Sequence, residues 1–350
     1  MSNKTLSALI KSATKRLDQP CSQTDLLAVV KSFRDHQGPL EYSNTPAALF
    51  ALFSALLTVP LIINISSGRM LSPEFTALMF GSATLGAVML IGTLGFMIYR
   101  SAQIPDLTGS ILERSALMRY GLQDIPLSKD QILHQLQRDF GDFDRGNYSR
   151  EITYAVQGVY QGPLHALAYT YQTFKYVNQR IETTLVSDGK GGMRTQIRTV
   201  YDTFYRHCVV IDFPWVKNIK VQNDGQKEFK HRVDTAHKDF NRTFDANGAN
   251  EVECVKFLKP TTILHLLEMA KHYGDLNLEF SHLGQLCMSF NNDDILEPFP
   301  NQLALSEPEP LYSALEAGID LPKLTYTLQQ IHTLAEQHDD NFAEPQKING

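Results

Sequence analysis

Cysteine is scarce, at four residues in 350, and no two of them stand in a Cys-x-x-Cys pair. That excludes a disulfide-stapled secreted scaffold and leaves no cysteine-built zinc motif. Basic charge is not in surplus either. The 32 Lys and Arg are outnumbered by 38 Asp and Glu, for a net charge of −6, which removes the electrostatic footprint of a nucleic-acid binder. The chain has no phosphate loop of the Gly-x-x-x-x-Gly-Lys-Ser/Thr type. The nearest imitation, Ser187-Asp-Gly-Lys-Gly-Gly192, has the wrong spacing and no helical pattern after it, so it reads as a hairpin turn. Mean hydropathy is −0.21, too low for a polytopic membrane protein.

Charge is also missing locally. No charged residue occurs from Ser43 to Gly68, or from Phe75 to Tyr99. A bilayer core of about 30 Å takes about 20 helical residues, and both runs suffice. In hydrocarbon each must satisfy its own backbone, so each should be a helix. The expectation is a transmembrane hairpin with spans at about 46–65 and 76–99. Lys31 and Arg34 precede the first run and Arg100, Arg114 and Arg119 follow the second, while Arg69 is the one basic residue between them. This bias places both termini in the cytoplasm. Ser82-Ala-Thr-Leu-Gly86 and Gly92-Thr-Leu-Gly95 bring small residues to one helix, which suits close helix approach. Neither run holds an ionisable residue, so the hairpin alone is no ion or proton path.

Residues 1–45 read as cytoplasmic amphipathic helices. Leu6, Leu9, Ile10, Ala13 and Leu17 form one stripe, with Lys4, Lys11, Lys15 and Arg16 elsewhere on the wheel. That stripe suits either the inner leaflet or the soluble domain. Leu26, Val30 and Phe33 mark a second helix, with Ser22 or Thr24 as its cap.

Residues 100–297 read as a cytoplasmic α+β domain on antiparallel sheet. After polar helices and loops over 101–145, Ser128 caps a helix with the stripe Ile132, Leu133, Leu136 and Phe140. From Glu151 to Phe213 the composition is that of strands, with one sheet face wetted. Pro260 starts a further helix with the expected stripe Ile263, Leu264, Leu267 and Ala270. A hairpin follows over 276–290, turning at Ser281–Gly284. Residues 298–350 read as a Pro-rich linker, a helix at about Leu321 to Gln337, and a disordered tail.

Metal-ligand chemistry has one candidate cluster, His231, Asp234 and His237, with Asp239 beside it. On a helix, i and i+3 positions would meet. The spacing is not His-Glu-x-x-His, and Lys230, Arg232 and Lys238 crowd it, so a solvated helix face is the better reading. His207 and Cys208 are adjacent on one strand and point to opposite faces. Cys254 and Cys287 sit in apolar company, which makes them inert. Asn291-Asn-Asp-Asp294 reads as a loop, and Trp215 as core or a partner anchor. No cofactor and no catalytic residue is assigned.

Asp239-Phe-Asn-Arg-Thr-Phe244, Glu253-Cys254, and Phe257-Leu-Lys-Pro260 with its Ile-Leu-x-Leu-Leu helix resemble the pattern of an uncharacterised bacterial membrane-protein family known only as a domain of unknown function. Cys254 stands where the family usually has alanine, Lys259 where it often has threonine, and Arg206 where glycine is expected. The resemblance spans roughly residues 45–335. It implies two spans with an α+β cytoplasmic domain in the bacterial inner membrane, and no reaction. The function expected is a membrane-anchored interaction or scaffolding module, with the lipid bilayer and a protein partner or homo-oligomer as its contacts. The alternatives are an enzyme of unrecognised type and a membrane-state sensor subunit.

Overall fold

A computed structural model describes residues 3–66, 73–187, 193–223, 229, 231–291, 294–300 and 302–339. The expected link between the spans, the Gly-rich turn after Ser187, Asp293 and the tail lie outside the described residues. In chain order the first elements are α1 (Asn3–Leu17), α2 (Gln23–Arg34), α3 (Thr45–Ser66) and α4 (Pro73–Arg119). Next come β1 (Gln123–Asp124), α5 (Lys129–Asp139), a 3-10 turn at Gly141–Asp144, β2 (Ser149–Gln161), β3 (Ala166–Ser187), β4 (Met193–Asp212), β5 (Ile219–Gln222) and β6 (His231–Arg232). Then follow α6 (Lys238–Thr243), β7 (Asp245–Gly248), α7 (Glu251–Phe257), α8 (Pro260–Met269), β8 (Asn277–Phe280), β9 (Gln285–Phe290), α9 (Pro308–Ala317) and α10 (Pro322–Glu336). The chain is thus α+β, with helices and one antiparallel sheet. It divides into two units, Met1–Arg119 with Pro298–Asp320, and Tyr120–Glu297 with Leu321–Gly350.

The first unit is helical. α4 is 47 residues long and runs through Pro105. Its stretch Phe80–Arg119 is long and apolar enough to cross a membrane, while the shorter apolar stretch Thr45–Leu56 lies in α3. Helix therefore continues where the sequence suggested polar helices and loops from residue 101, and it overruns the expected domain boundary at 100. The cause is local: Ile104, Leu107, Ile111 and Leu112 are buried and keep a helical apolar stripe going past the charge-free run. α3 meets α4 through small side chains. Ala51, Ser54 and Thr58 are buried on one helix and Ala83 on the other, and a Cβ on Gly86 would lie 2.1 Å from Thr58 Oγ1. Leu52, Phe53, Leu56 and Ile63 of α3, and Leu85, Val88, Ile91 and Ile98 of α4, are exposed.

Ser22 is the cap of α2, in a reciprocal box with Asp25. The Asp25 carboxyl sits well below its usual range because Arg16 and the Ser22 backbone hold the ionised form. The stripe of α1 buries Leu6, Ile10, Ala13 and Leu17 within this helical unit, against α2 and α4. The expected linker after Pro298 is also corrected. Its prolines start α9, whose Leu311 and Leu315 are buried, because Pro308 suits the first helical turn.

The second unit is built on a nine-stranded antiparallel sheet in the order β1-β2-β3-β4-β9-β8-β5-β7-β6. In the centre both faces are covered. Val209, Ile211, Leu286, Met288, Leu278, Phe280, Ile219 and Val221 share one face by register, and all are buried. Phe257 of α7 meets Phe280 there at 5.0 Å, and Tyr273 meets Phe290 at 4.8 Å. On the other face α5 lays Ile132, Leu133 and Leu136, with Phe140 and Phe143, over Ile152, Phe174, Cys208 and Cys287. The single wetted face expected from composition is therefore absent from the sheet centre.

The apolar arc of α8 is rotated from the one expected. Thr262, Ile263, Leu266 and Met269 are buried, whereas Leu264 is 59% exposed and Leu267 is half-buried. Leucines at 264, 266 and 267 give two overlapping arcs of similar apolarity. A hydrogen bond chooses between them: the Thr262 hydroxyl lies 3.0 Å from His338 Nε2 and 3.1 Å from Gln337 Oε1.

Candidate functional site

β3 and β4 are longer than the sheet they belong to. β2 pairs with β3 over Ala166–Val177, and β9 pairs with β4 over His207–Asp212. Beyond those limits Asn178–Ser187 pairs with Met193–Asp202 as a two-stranded ribbon. At about 3.3 Å per residue its ten-residue arms reach about 33 Å. Asn147 marks the root of the ribbon. Its side chain gives Nδ2 to the Gln179 carbonyl and takes the Gln179 N–H, at 3.1 and 2.7 Å. Tyr148 and Tyr201 pack there at 4.7 Å, and Tyr176 stacks on Phe204 at 5.2 Å.

Strand alternation makes the ribbon two-sided. One side carries Gln179, Ile181, Thr183, Leu185, Met193, Thr195, Ile197, Thr199 and Tyr201, none charged. Ile181 is 70% exposed, Leu185 69%, Ile197 69% and Met193 75%. The other side carries Arg180, Glu182, Arg194, Arg198 and Asp202, with Arg180 bonded to Asp202 at 2.5 Å and to Glu182. β-branched Thr, Ile and Val suit the extended backbone, so local propensity supports the strands even without a covering layer.

Inside the sheet the same strand carries the opposite kind of feature. Arg206 is fully buried. Its Nε donates to Asp142 Oδ2 at 2.6 Å, and its other nitrogens donate to Asn291 Oδ1, Ser289 Oγ and the Asp275 carbonyl, at 2.5, 2.9 and 3.0 Å. Asp142 also accepts from Arg145, Ser289 and Asn277. Burial opposes ionisation of Asp142, but the guanidinium charges of Arg206 and Arg145 outweigh it and hold the carboxyl below its ordinary value. Nearby, Lys220 Nζ lies 3.1 Å from Glu279 Oε2, which also takes the Gly141 N–H at 2.8 Å. This network is enclosed and polar-satisfied, which makes it a clamp between the 3-10 turn and the sheet. The sequence showed Arg206 only as a departure from an expected glycine. Asp142 carried no signal, because the pair is 64 residues apart.

The sequence candidates do not assemble. His231 lies in β6, paired with Gly248, Asp234 follows in a loop beside Arg232, and His237 caps α6 by accepting the Phe240 N–H. They share no helix face. Among the described residues no group of three or more His, Cys, Asp or Glu could hold a metal ion. His207 and Cys208 do point apart. His207 Nδ1 lies 2.7 Å from the Tyr171 hydroxyl, which donates to Asp294 Oδ1 at 2.7 Å and so accepts from the imidazole. Burial pushes the Tyr171 phenol well above its ordinary value, with the Asp294 charge adding to it. All four cysteines are free thiols, and burial raises the Cys254 thiol to about 11. Trp215 is half-buried, tilted against His165 at 4.7 Å and edge-on to Phe213 at 5.1 Å.

Three further histidines lie near the end of α10: His332 within it, His338 just after it, and His165 brought in from the segment between β2 and β3. His165 Nε2 meets Asp339 at 3.0 Å, and His332 meets Glu336 at 3.1 Å while accepting the His165 N–H. His338 stacks on Phe257 at 4.8 Å. Its pKa falls to about 4, through burial first and the nearby Lys259 charge second.

No curated protein and no solved structure matches the chain. A family model does match part of it, over a shorter stretch than residues 45–335 and without the two apolar helices. That match runs from β4 of the ribbon to the start of α10: residues 195–324 match the model of a family described as a protein of unknown function (DUF3137).

Proposed function

We propose that this chain is a membrane-anchored interaction module that pairs with a second copy of itself through the uncharged face of the ribbon. The observation that carries the reading is that face, which leaves Ile181, Leu185, Met193 and Ile197 exposed. An isolated two-stranded ribbon is marginal in water, and apolar side chains on one side of it gain by being covered. A face that meets its own copy must not repel itself, and this one carries no charge. At about 33 Å by about 10 Å, a two-stranded face is small beside the roughly 800 Å² per partner of a standard interface. Confinement to a bilayer supplies what the area lacks, because tethering raises the effective concentration of the two copies. The helices support that anchor: α4 is long and apolar enough to span, α3 packs on it through small residues, and the outward side chains of both are apolar. The Lys and Arg bias then puts both termini on the cytoplasmic side of a bacterial inner membrane.

Site-directed cross-linking in membranes tests this. Thr199→Cys, on the uncharged face, should form a disulfide-linked dimer, and Arg198→Cys, on the charged face, should not. Ile181→Asp with Ile197→Asp should leave the purified chain monomeric in mild detergent. Equal cross-linking at 198 and 199 would sink the proposal. So would capture of a different protein that depends on Ile181 and Ile197, since the face would then serve a foreign partner.

A further inference from the structure

We propose that the helical unit holds the headgroup of a zwitterionic phospholipid bearing a primary ammonium group, in a pocket where the apolar part of α4 ends. The proposal rests on the membrane reading above. The pocket has a volume of about 550 Å³ and lies between the segment leading into α3, the stretch of α4 just past Tyr99, and residues 303–306. That size suits a small ligand. Its position follows from the charge pattern: Tyr99 ends the charge-free run, and Arg100 is the first ionised residue after it. On a spanning α4 this is the depth of the lipid phosphates.

The lining offers one cation and one anion, and they do not pair with each other. Arg100 and Glu41 both line the pocket. Among the described residues neither forms an ion pair, whereas most other arginines of this unit do: Arg16, Arg34 and Arg119 each meet a carboxylate. The Arg100 guanidinium instead lies over two rings, 5.0 Å from Tyr42 and 4.3 Å from Phe96. Stacking orients the fork while leaving its in-plane N–H donors for an oxyanion. Tyr42 is held in turn by a 2.7 Å bond from its hydroxyl to Gln103.

Acceptors are in excess beside this cation. Asn44 Oδ1 is buried with no hydrogen-bond partner. Pro105 has no N–H to give to the Ser101 carbonyl one turn back, so that oxygen lacks its helical donor. With the Glu41 carboxylate these acceptors ask for a cation that carries N–H groups. A phosphodiester with a primary ammonium meets both needs, with its phosphate on Arg100 and its ammonium toward Glu41 and Asn44. Ile104 and Leu112 give the apolar wall for the glycerol and upper acyl chain. A quaternary choline would offer no N–H, and an anionic glycerol headgroup would leave Glu41 facing a like charge.

The test uses the full chain in detergent, with phosphatidylethanolamine, phosphatidylcholine and phosphatidylglycerol of matched acyl chains, read by native mass spectrometry and by thermal unfolding. The ethanolamine lipid should be retained about tenfold better than the other two, and Arg100→Gln should lose about tenfold in that retention, as expected for one charged hydrogen-bond partner. Glu41→Gln should remove the preference for ethanolamine over glycerol while keeping binding. Arg194→Gln, far along the ribbon, should change nothing. Equal retention of the three lipids, or an Arg100→Gln chain that binds like wild type, would overturn the assignment. Glycerophosphoethanolamine without acyl chains is a further arm, and binding as tight as that of the lipid would move the ligand to a soluble phosphodiester and overturn the lipid source. Flotation with phosphatidylcholine vesicles separates the two readings. A chain that floats but shows no headgroup preference loses the pocket and keeps the anchor, whereas a chain that stays in solution without detergent loses both.

Discussion

β4 is one strand with two halves, and the contrast between them shows where this sheet draws its stability. Its inner half, His207–Asp212, lies between β3 and β9 with Cys208, Val209 and Ile211 buried. Its outer half, Met193–Asp202, has β3 as its one paired neighbour, and Met193, Ile197 and Tyr201 are exposed. Backbone pairing and β-rich composition are the same along both. What differs is the covering: α5 on one face and Phe257 and Tyr273 on the other close over the sheet centre that holds the inner half, and among the described residues nothing of this kind covers the outer one. Pairing is thus enough to shape a strand here, while tight packing belongs to the covered half and the buried Arg206–Asp142 pair lies at its edge.

The sharpest way to break the comparison is at Arg206. Arg206→Met leaves Asp142 buried without its main countercharge and should cost about 3–5 kcal/mol in chemical unfolding of the detergent-solubilised chain. A loss below about 1 kcal/mol would mean that the inner half is not clamped. The pH dependence carries a sign. The folded Asp142 carboxyl is held below its ordinary 3.8, so its contribution is present above that value and is lost as pH falls from 3.8 through the lower folded value. In Asp142→Asn this acid-side decline should shrink.

The second test concerns the rotated arc of α8. Leu266→Ala, at a fully buried side chain, should cost about 2–5 kcal/mol. Leu264→Ala, on the exposed side, should stay within about 0.5 kcal/mol. Reversal of that order would restore the arc expected from periodicity. A smaller effect is expected at His338. Its folded pKa of about 4 lies below the ordinary 6.5, so the unfolded chain takes up the proton first. Stability should therefore decline as pH drops from about 6.5 to 4 and level off below. His338→Gln should flatten that segment of a melting-temperature profile. The smallest effect belongs to the ribbon. Ile181→Asp should shift unfolding of the monomer by no more than about 0.5 kcal/mol, the usual size for an exposed site. A loss of several kcal/mol in monomer would show that this side chain is buried after all.

Much of the fold was legible from local chemistry. Ser128 caps its helix and Pro260 opens α8 as expected, and of the two cap candidates for α2 it is Ser22 that serves. The long strands followed from a composition rich in Tyr, Thr, Val and Phe. α7 was missed because seven residues carry too little periodicity. The clamp was missed because its members are separated along the chain, and no local pattern announces that an arginine will lie beneath a 3-10 turn. The ribbon's strands were legible, but not that they outrun the sheet, since that depends on where β2 and β9 stop.

The sequence by itself determined the two charge-free helical runs, the α+β character and the want of a nucleotide loop or cysteine metal site. These are properties of neighbours, set by hydropathy, spacing and turn residues. Tertiary structure alone decided which face of α8 is buried, that His231, Asp234 and His237 never meet, and that Arg206 lies beside Asp142. It also decided that α1 packs on α2 and α4. The physical reason is common to all four: each is a choice between surfaces of similar local preference, settled by long-range pairing and by hydrogen bonds that exist only once the chain has closed.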